Sequence, residues 1–148
     1  MIFNEINDQS VELRITNYEF PEITDCKYDA NWLLIQLKIK SNCGNWETTD
    51  PSLFTWEVER IIDWFNDLYA DQTTETNLSF LEPNIAFQLI KNQGNLKTIR
   101  LKFDLELQQK DVENEKECFV DCEMNNAELK RAANGLKKEL EAYPQRTV

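Results

Sequence analysis

A chain of 148 residues fits one domain, and 41% hydrophobic with 29% charged residues is too apolar for a disordered segment. It carries 16 Lys+Arg against 27 Asp+Glu and no histidine, a formal net charge of −11 at pH 7. That balance repels phosphate backbones and anionic membrane surfaces, and it favours a cationic partner, whose encounter it speeds by about 10–1000-fold. The bland alternative is that acidity only keeps the protein soluble.

The missing residues narrow the chemistry further. Without histidine there is no Ser-His-Asp or Cys-His catalysis and no His-ligated metal. Gly44, Gly94 and Gly135 stand alone, so neither a P-loop nor a GxGxxG loop can form. The longest apolar run, Trp32 to Ile35, is far short of the roughly 20 residues that span a bilayer. Met1 to Glu5 lacks the basic and apolar regions of a signal peptide. These features lead us to expect a soluble, cytoplasmic, single domain over residues 1–148. In that compartment Cys26, Cys43, Cys118 and Cys122 are expected to be reduced thiols packed as small hydrophobes.

In chain order, Val11, Leu13 and Ile15 alternate with polar residues and predict a half-buried strand. Asn31 to Lys40 alternates likewise, and the turn at Ser41 to Asn45 leads into Trp46-Glu47-Thr48, the partner strand of a hairpin. Asp50 is placed to cap a helix and Pro51 suits its first position. Val58, Ile61, Ile62, Phe65 and Tyr69 then recur at helical spacing, predicting an amphipathic helix from about Pro51 to Ala70. A short strand at Leu78 to Leu81 is followed by one at Asn84 to Ile90. The turn Asn92 to Asn95, with Gly94 free to adopt positive φ, leads into the clearest strand, Ile99-x-Leu101-x-Phe103-x-Leu105-x-Leu107.

Lys110 to Glu117 reads as a charged loop, and Cys118 to Met124 as a further strand. On that strand Cys118 and Cys122 share a face but lie roughly 13 Å apart, too far to bind one zinc ion. The last helix opens at Asn125 with Glu128 placed for a capping box. It carries Leu129, Ala132, Ala133, Leu136 and Leu140 as its stripe and stops before Pro144. Hairpin-length links between strands imply an α+β fold, an antiparallel β-sheet with the two amphipathic helices packed on one face.

The candidate site is the polar face of the first long helix. Glu59, Asp63 and Asp67 fall at i, i+4 and i+8, where like charges destabilise a helix by about 0.2–0.5 kcal/mol per pair. Asp67 also opposes the macrodipole near the C-terminus. A helix that tolerates this repulsion is suited to present the face to a cation, although a merely solvated face fits the same residues. Trp56 projects about 160° from Val58, toward these carboxylates, as an aromatic anchor would. The alternative for Trp56 is an irregular first turn packed under the preceding loop, against Trp46.

Other chemistries find weaker support. Glu57, Glu59, Glu82 and Asp104 fall mostly on faces expected to be wet, and acid–base work needs two carboxylates held in a cleft. The acid-rich segment Asp111 to Glu117 lacks the glycine of an EF-hand. No catalytic residue, cofactor or metal is expected.

Five strings fall together in a familiar order and spacing: Ile15 to Pro21, Tyr28 to Leu33, Asp50 to Val58, Glu82 to Phe87 and Tyr143 to Arg146. In these the chain resembles the WapI-type immunity proteins, small cytoplasmic bacterial proteins that accompany secreted polymorphic toxins. The resemblance implies binding and neutralising a cognate toxin, a tRNA-cleaving nuclease in the name-giving system. It supplies no contact residues, and its strings, sited at element boundaries, suit a fold signature better than a binding surface. An acidic protein could occupy a basic nuclease groove with carboxylates in place of phosphates. A non-catalytic adaptor or regulatory module with another partner is the alternative reading, and the sequence is silent on oligomeric state.

Overall fold

The structure, a computed structural model, describes residues 1–4, 7–72, 75–104 and 117–147. The described strands are β1 (Ile2–Asn4), β2 (Ser10–Tyr18), β3 (Trp32–Ser41), β4 (Gly44–Phe54), β5 (Asn77–Leu78), β6 (Ile85–Asn92), β7 (Leu96–Phe103) and β8 (Cys118–Asn125). The helices are α1 (Lys27–Ala30), α2 (Thr55–Tyr69) and α3 (Asn126–Glu141). The fold is α+β, and its antiparallel strands divide into two sheets of four, ordered β1-β2-β3-β4 and β5-β6-β7-β8. Leu105, Leu107 and residues 110–116 of the expected charged loop lie outside the described residues.

The two sheets share one core with both long helices. Alternation supplies the sheet side of it: Val11, Leu13 and Ile15 on β2, Leu33 to Ile39 at every second position on β3, and Ile99, Leu101 and Phe103 on β7 are all buried. Phe65 of α2 joins the halves, with its ring 5.8 Å from Phe3 of the first sheet and 6.0 Å from Phe87 of the second. Both expected hairpins form, and their glycines adopt left-handed conformations, Gly44 at φ 109° and Gly94 at φ 79°. The capping box of α3 also forms: Asn125 accepts from the Glu128 amide at 2.9 Å, and Glu128 accepts in return from the Asn125 amide.

Three local expectations are corrected. The first concerns the start of the long helix. β4 runs through Asp50 and Pro51, and the helix begins at Thr55. Leu33 pairs with Leu53 but Leu34 with Pro51, so Ser52 is the extra residue of a bulge. β4 is an edge strand, where a proline lacking an N–H is tolerated. Asp50 accepts from the Thr48 hydroxyl at 2.7 Å instead of capping a helix.

The second concerns Glu57, which is buried rather than wet. One carboxylate oxygen accepts from the Phe54 amide that precedes α2, and the other from the Leu81 amide, both at 3.0 Å. The carboxylate thus both caps the helix and ties down the chain ahead of β6.

The third concerns the cysteines. Cys43, in the β3–β4 turn, is disulfide-bonded to Cys118 at the start of β8, across 75 residues of sequence. The bond staples one sheet to the other, close to where Trp46 of β4 meets Phe103 of β7 edge-on. Cys26 is exposed and free, and Cys122 is a buried thiol on the same face of β8 as Cys118.

Candidate partner-binding surface

α2 presents its two faces as the spacing demands. Val58, Ile61, Ile62, Phe65 and Leu68 are buried, while Glu59, Asp63 and Asp67 are exposed along the opposite side. None of these three carboxylates lies within ion-pair distance of a cation among the described residues. The last turn of α2 contains no basic residue to answer Asp67.

Glu59 and Asp63 also form one wall of a groove of about 410 Å³ between α2 and α3. Glu141 adds a third carboxylate, Lys137 is the one cation on the lining, and Ile62 and Leu140 lie among the lining residues. Asp67 stands outside the groove, one turn further along the helix. The spacing therefore brings two of the three acids into a shared concavity and leaves the third on open surface. Sequence reasoning missed Glu141, because only the packing of α3 against α2 brings it near the others.

Trp56 is half-buried in the first turn of α2. Its ring stacks on Phe54 at 4.6 Å and 11°, meets Tyr28 edge-on at 5.8 Å, and has the Lys27 ammonium 5.6 Å from its centroid. Trp32 packs on the Phe54 ring as well, at 4.2 Å. Trp56 therefore belongs to an aromatic cluster that continues the acidic stripe at its N-terminal end. The ring it packs on is Phe54; Trp46 lies against Phe103 instead.

Four of the five strings that carry the family resemblance, all but Glu82 to Phe87, meet in space beside this cluster. Asn31 is fully buried: its amide nitrogen donates to the carbonyls of Lys27 and Arg146, and its amide oxygen accepts from Arg146 N and from the Thr55 hydroxyl. The Arg146 guanidinium donates to the carbonyls of Ala30, Pro21 and Phe20 and stacks over Tyr18 at 3.8 Å. Tyr18 donates to the Pro144 carbonyl, and Tyr143 donates to that of Thr16. Burial raises the Tyr18 phenol above its usual value of 10.0; the nearby Arg146 charge opposes this and Tyr143 adds to it. The convergence is architectural, since it locks the C-terminal tail across the loop before β3 and the start of α2.

Among the described residues, no group of three or more acidic, cysteine or histidine ligands could hold a metal ion. Among the same described residues, no helix is long and apolar enough to cross a membrane.

No curated protein and no solved structure matches the chain. The model of the immunity protein WapI-like family matches residues 1–144, which is nearly the whole length. The chain belongs to the immunity protein WapI-like family.

Proposed function

We propose that the protein binds and neutralises a cognate secreted toxin on behalf of the producing cell, acting by surface complementarity and not by catalysis. Family membership supports the toxin-directed role. The observation that carries the contact surface is the exposed stripe of Glu59, Asp63 and Asp67, which has no cationic partner within the described fold. Fixed carboxylates without internal partners are suited to meet Lys and Arg side chains on a toxin, in place of the phosphates that a basic nuclease groove would hold.

Trp56 supplies the aromatic end of this surface. On a helix, positions 56, 59, 63 and 67 fall on one side, so the ring and the carboxylates form a continuous strip. An aromatic anchor flanked by steering charge is the usual anatomy of a tight interface, which buries about 1,600 Å² in total.

The test is direct. Mixing the purified protein with the toxin domain encoded beside it is expected to give one co-eluting species in gel filtration and loss of toxin activity. Two separate peaks with undiminished toxin activity would overturn the reading. A toxin with an acidic contact surface would overturn the charge argument alone.

A further inference from the structure

A second groove, on the other side of α3, carries the opposite charge. It has a volume of about 960 Å³ and runs between α3 and the β1–β2 edge, with the end of α2 at one side. Four of the chain's 16 Lys and Arg line it, against two of its 27 Asp and Glu. Both of those acids are engaged within the fold: Glu12 pairs with Arg14 at 2.6 Å, and Glu139 accepts from the Ile15 amide at 3.0 Å. Lys130 leans over the Tyr69 ring, whereas Arg131 and Lys138 are exposed and no carboxylate lies within ion-pair reach of either among the described residues.

The groove also has apolar surface to cover. Ile2 is 44% exposed and Tyr69 46%, both on its lining. A Cβ at Gly135 would fall 2.5 Å from the Met1 sulfur, so the glycine lets Met1 settle against α3. Arg131 and Lys138, seven positions apart, project from one side of the helix about 10 Å from each other.

We infer that this groove docks an acidic segment of a partner protein, with carboxylates on Arg131 and Lys138 and an apolar or aromatic side chain over Ile2 and Tyr69. Charge complementarity selects the occupant, since a concentration of cations in so acidic a chain attracts a short anionic stretch within a Debye length of about 10 Å. The same net charge of −11 repels a long polyanion, and the apolar lining offers a phosphate backbone nothing to bury. The site is separate from the acidic face of α2 and does not depend on the toxin-binding reading.

The experiment uses isotope-labelled full-length protein and a fluorescent peptide of sequence Glu-Glu-Phe-Phe-Glu-Glu, with Lys-Lys-Phe-Phe-Lys-Lys and a short oligothymidylate as alternatives. The acidic peptide is expected to shift the amide signals of Ile2, Arg14, Tyr69, Arg131 and Lys138 and to bind more weakly as salt rises. The double variant R131E/K138E is expected to lose about tenfold or more in affinity. R131Q/K138Q, which introduces no new repulsion, should fall between the two while unfolding at the parent midpoint. Equal or stronger binding of the lysine peptide or of oligothymidylate in the groove, or undiminished affinity in the double variants, overturns the inference. Co-elution of R131E/K138E with the toxin domain is read separately, so the two readings fail independently.

Discussion

Asn31 and Arg146 hold each other reciprocally across 115 residues of sequence: the Asn31 amide nitrogen donates to the Arg146 carbonyl at 2.9 Å, and the Arg146 amide donates to the Asn31 side-chain oxygen at 2.7 Å. With its further bonds to Lys27 and Thr55, the buried Asn31 side chain uses both its donors and both its acceptor sites. Removing it leaves four hydrogen-bond partners unmatched. N31A is expected to lower unfolding free energy by about 3 kcal/mol in urea titration. N31D keeps the two accepted bonds but sets a carboxylate oxygen against the Lys27 and Arg146 carbonyls at a buried site, so its loss should be at least as large. Equal stability of N31A and the parent would mean that the tail does not dock.

Tyr18 links the same corner to pH. Its phenol donates to the Pro144 carbonyl, and burial holds its pKa above the usual 10.0 in the folded state. A proton held more tightly by the folded chain gives stability that is complete below pH 10 and declines as pH rises through the folded-state value. Thermal melts between pH 9 and about 11.5 should therefore show a fall that is reduced in Y18F. The variant also lacks the hydroxyl bond, so it starts from a lower plateau. An identical pH slope in both proteins would remove Tyr18 from the account.

The disulfide gives a redox prediction. Closing a loop of 75 residues between Cys43 and Cys118 restricts the unfolded chain, and chain-entropy arguments put the stabilisation at about 4 kcal/mol. Dithiothreitol, or the substitution C43S, should lower the denaturation midpoint by a corresponding amount. C43S is the cleaner variant because Cys118 is buried and its loss would also disturb packing. A midpoint that ignores reductant would show that the bond constrains nothing.

Much of this architecture was legible in the sequence because burial has a period. Two-residue alternation located β2, β3, β6 and β7, and 3.6-residue spacing located α2 and α3. What misled was residue preference read without its sheet. Asp50-Pro51 has the chemistry of a helix start, yet a bulged edge strand accommodates the same pair. Glu57 looked wet because it is a carboxylate, and only the return of the chain at Leu81 shows why it is buried. The strand β1 was missed because three residues carry too little alternation to register. The cysteine pairing was invisible because proximity across 75 residues has no local signature. For the candidate surface, exposure of Glu59, Asp63 and Asp67 followed from helical phase, whereas the groove with Glu141 needed the packing of α3.

Glu57 offers a test that separates structural from binding carboxylates on one helix. Both of its oxygens accept backbone amides, so E57Q must turn an NH₂ group toward one of them. A loss of about 1–3 kcal/mol is expected, with toxin affinity of the folded fraction unchanged. E59Q, on the exposed side of the same helix, should show the reverse pattern. A stable E57Q would contradict the clamp between α2 and the segment before β6.

The acidic strip makes its own kinetic prediction. Exposed charges act on encounter more than on the lifetime of a complex, because they bias the approach over about a Debye length before contact. E59K/D63K/D67K should therefore slow association with the toxin domain by about tenfold or more at low salt, with a difference that shrinks as salt is raised. The three lysines repel one another at the same spacing as the carboxylates they replace, so the cost of about 0.2–0.5 kcal/mol per pair remains. Stability should stay close to the parent's, with only the lysine at position 67 better matched to the C-terminal end of the helix dipole. W56A should act differently, raising the dissociation rate if the ring contacts the toxin, and also lowering stability through lost stacking on Phe54. Stopped-flow association measured at two salt concentrations distinguishes these effects. An on-rate that is the same for parent and triple variant at low salt would remove the strip from the interface.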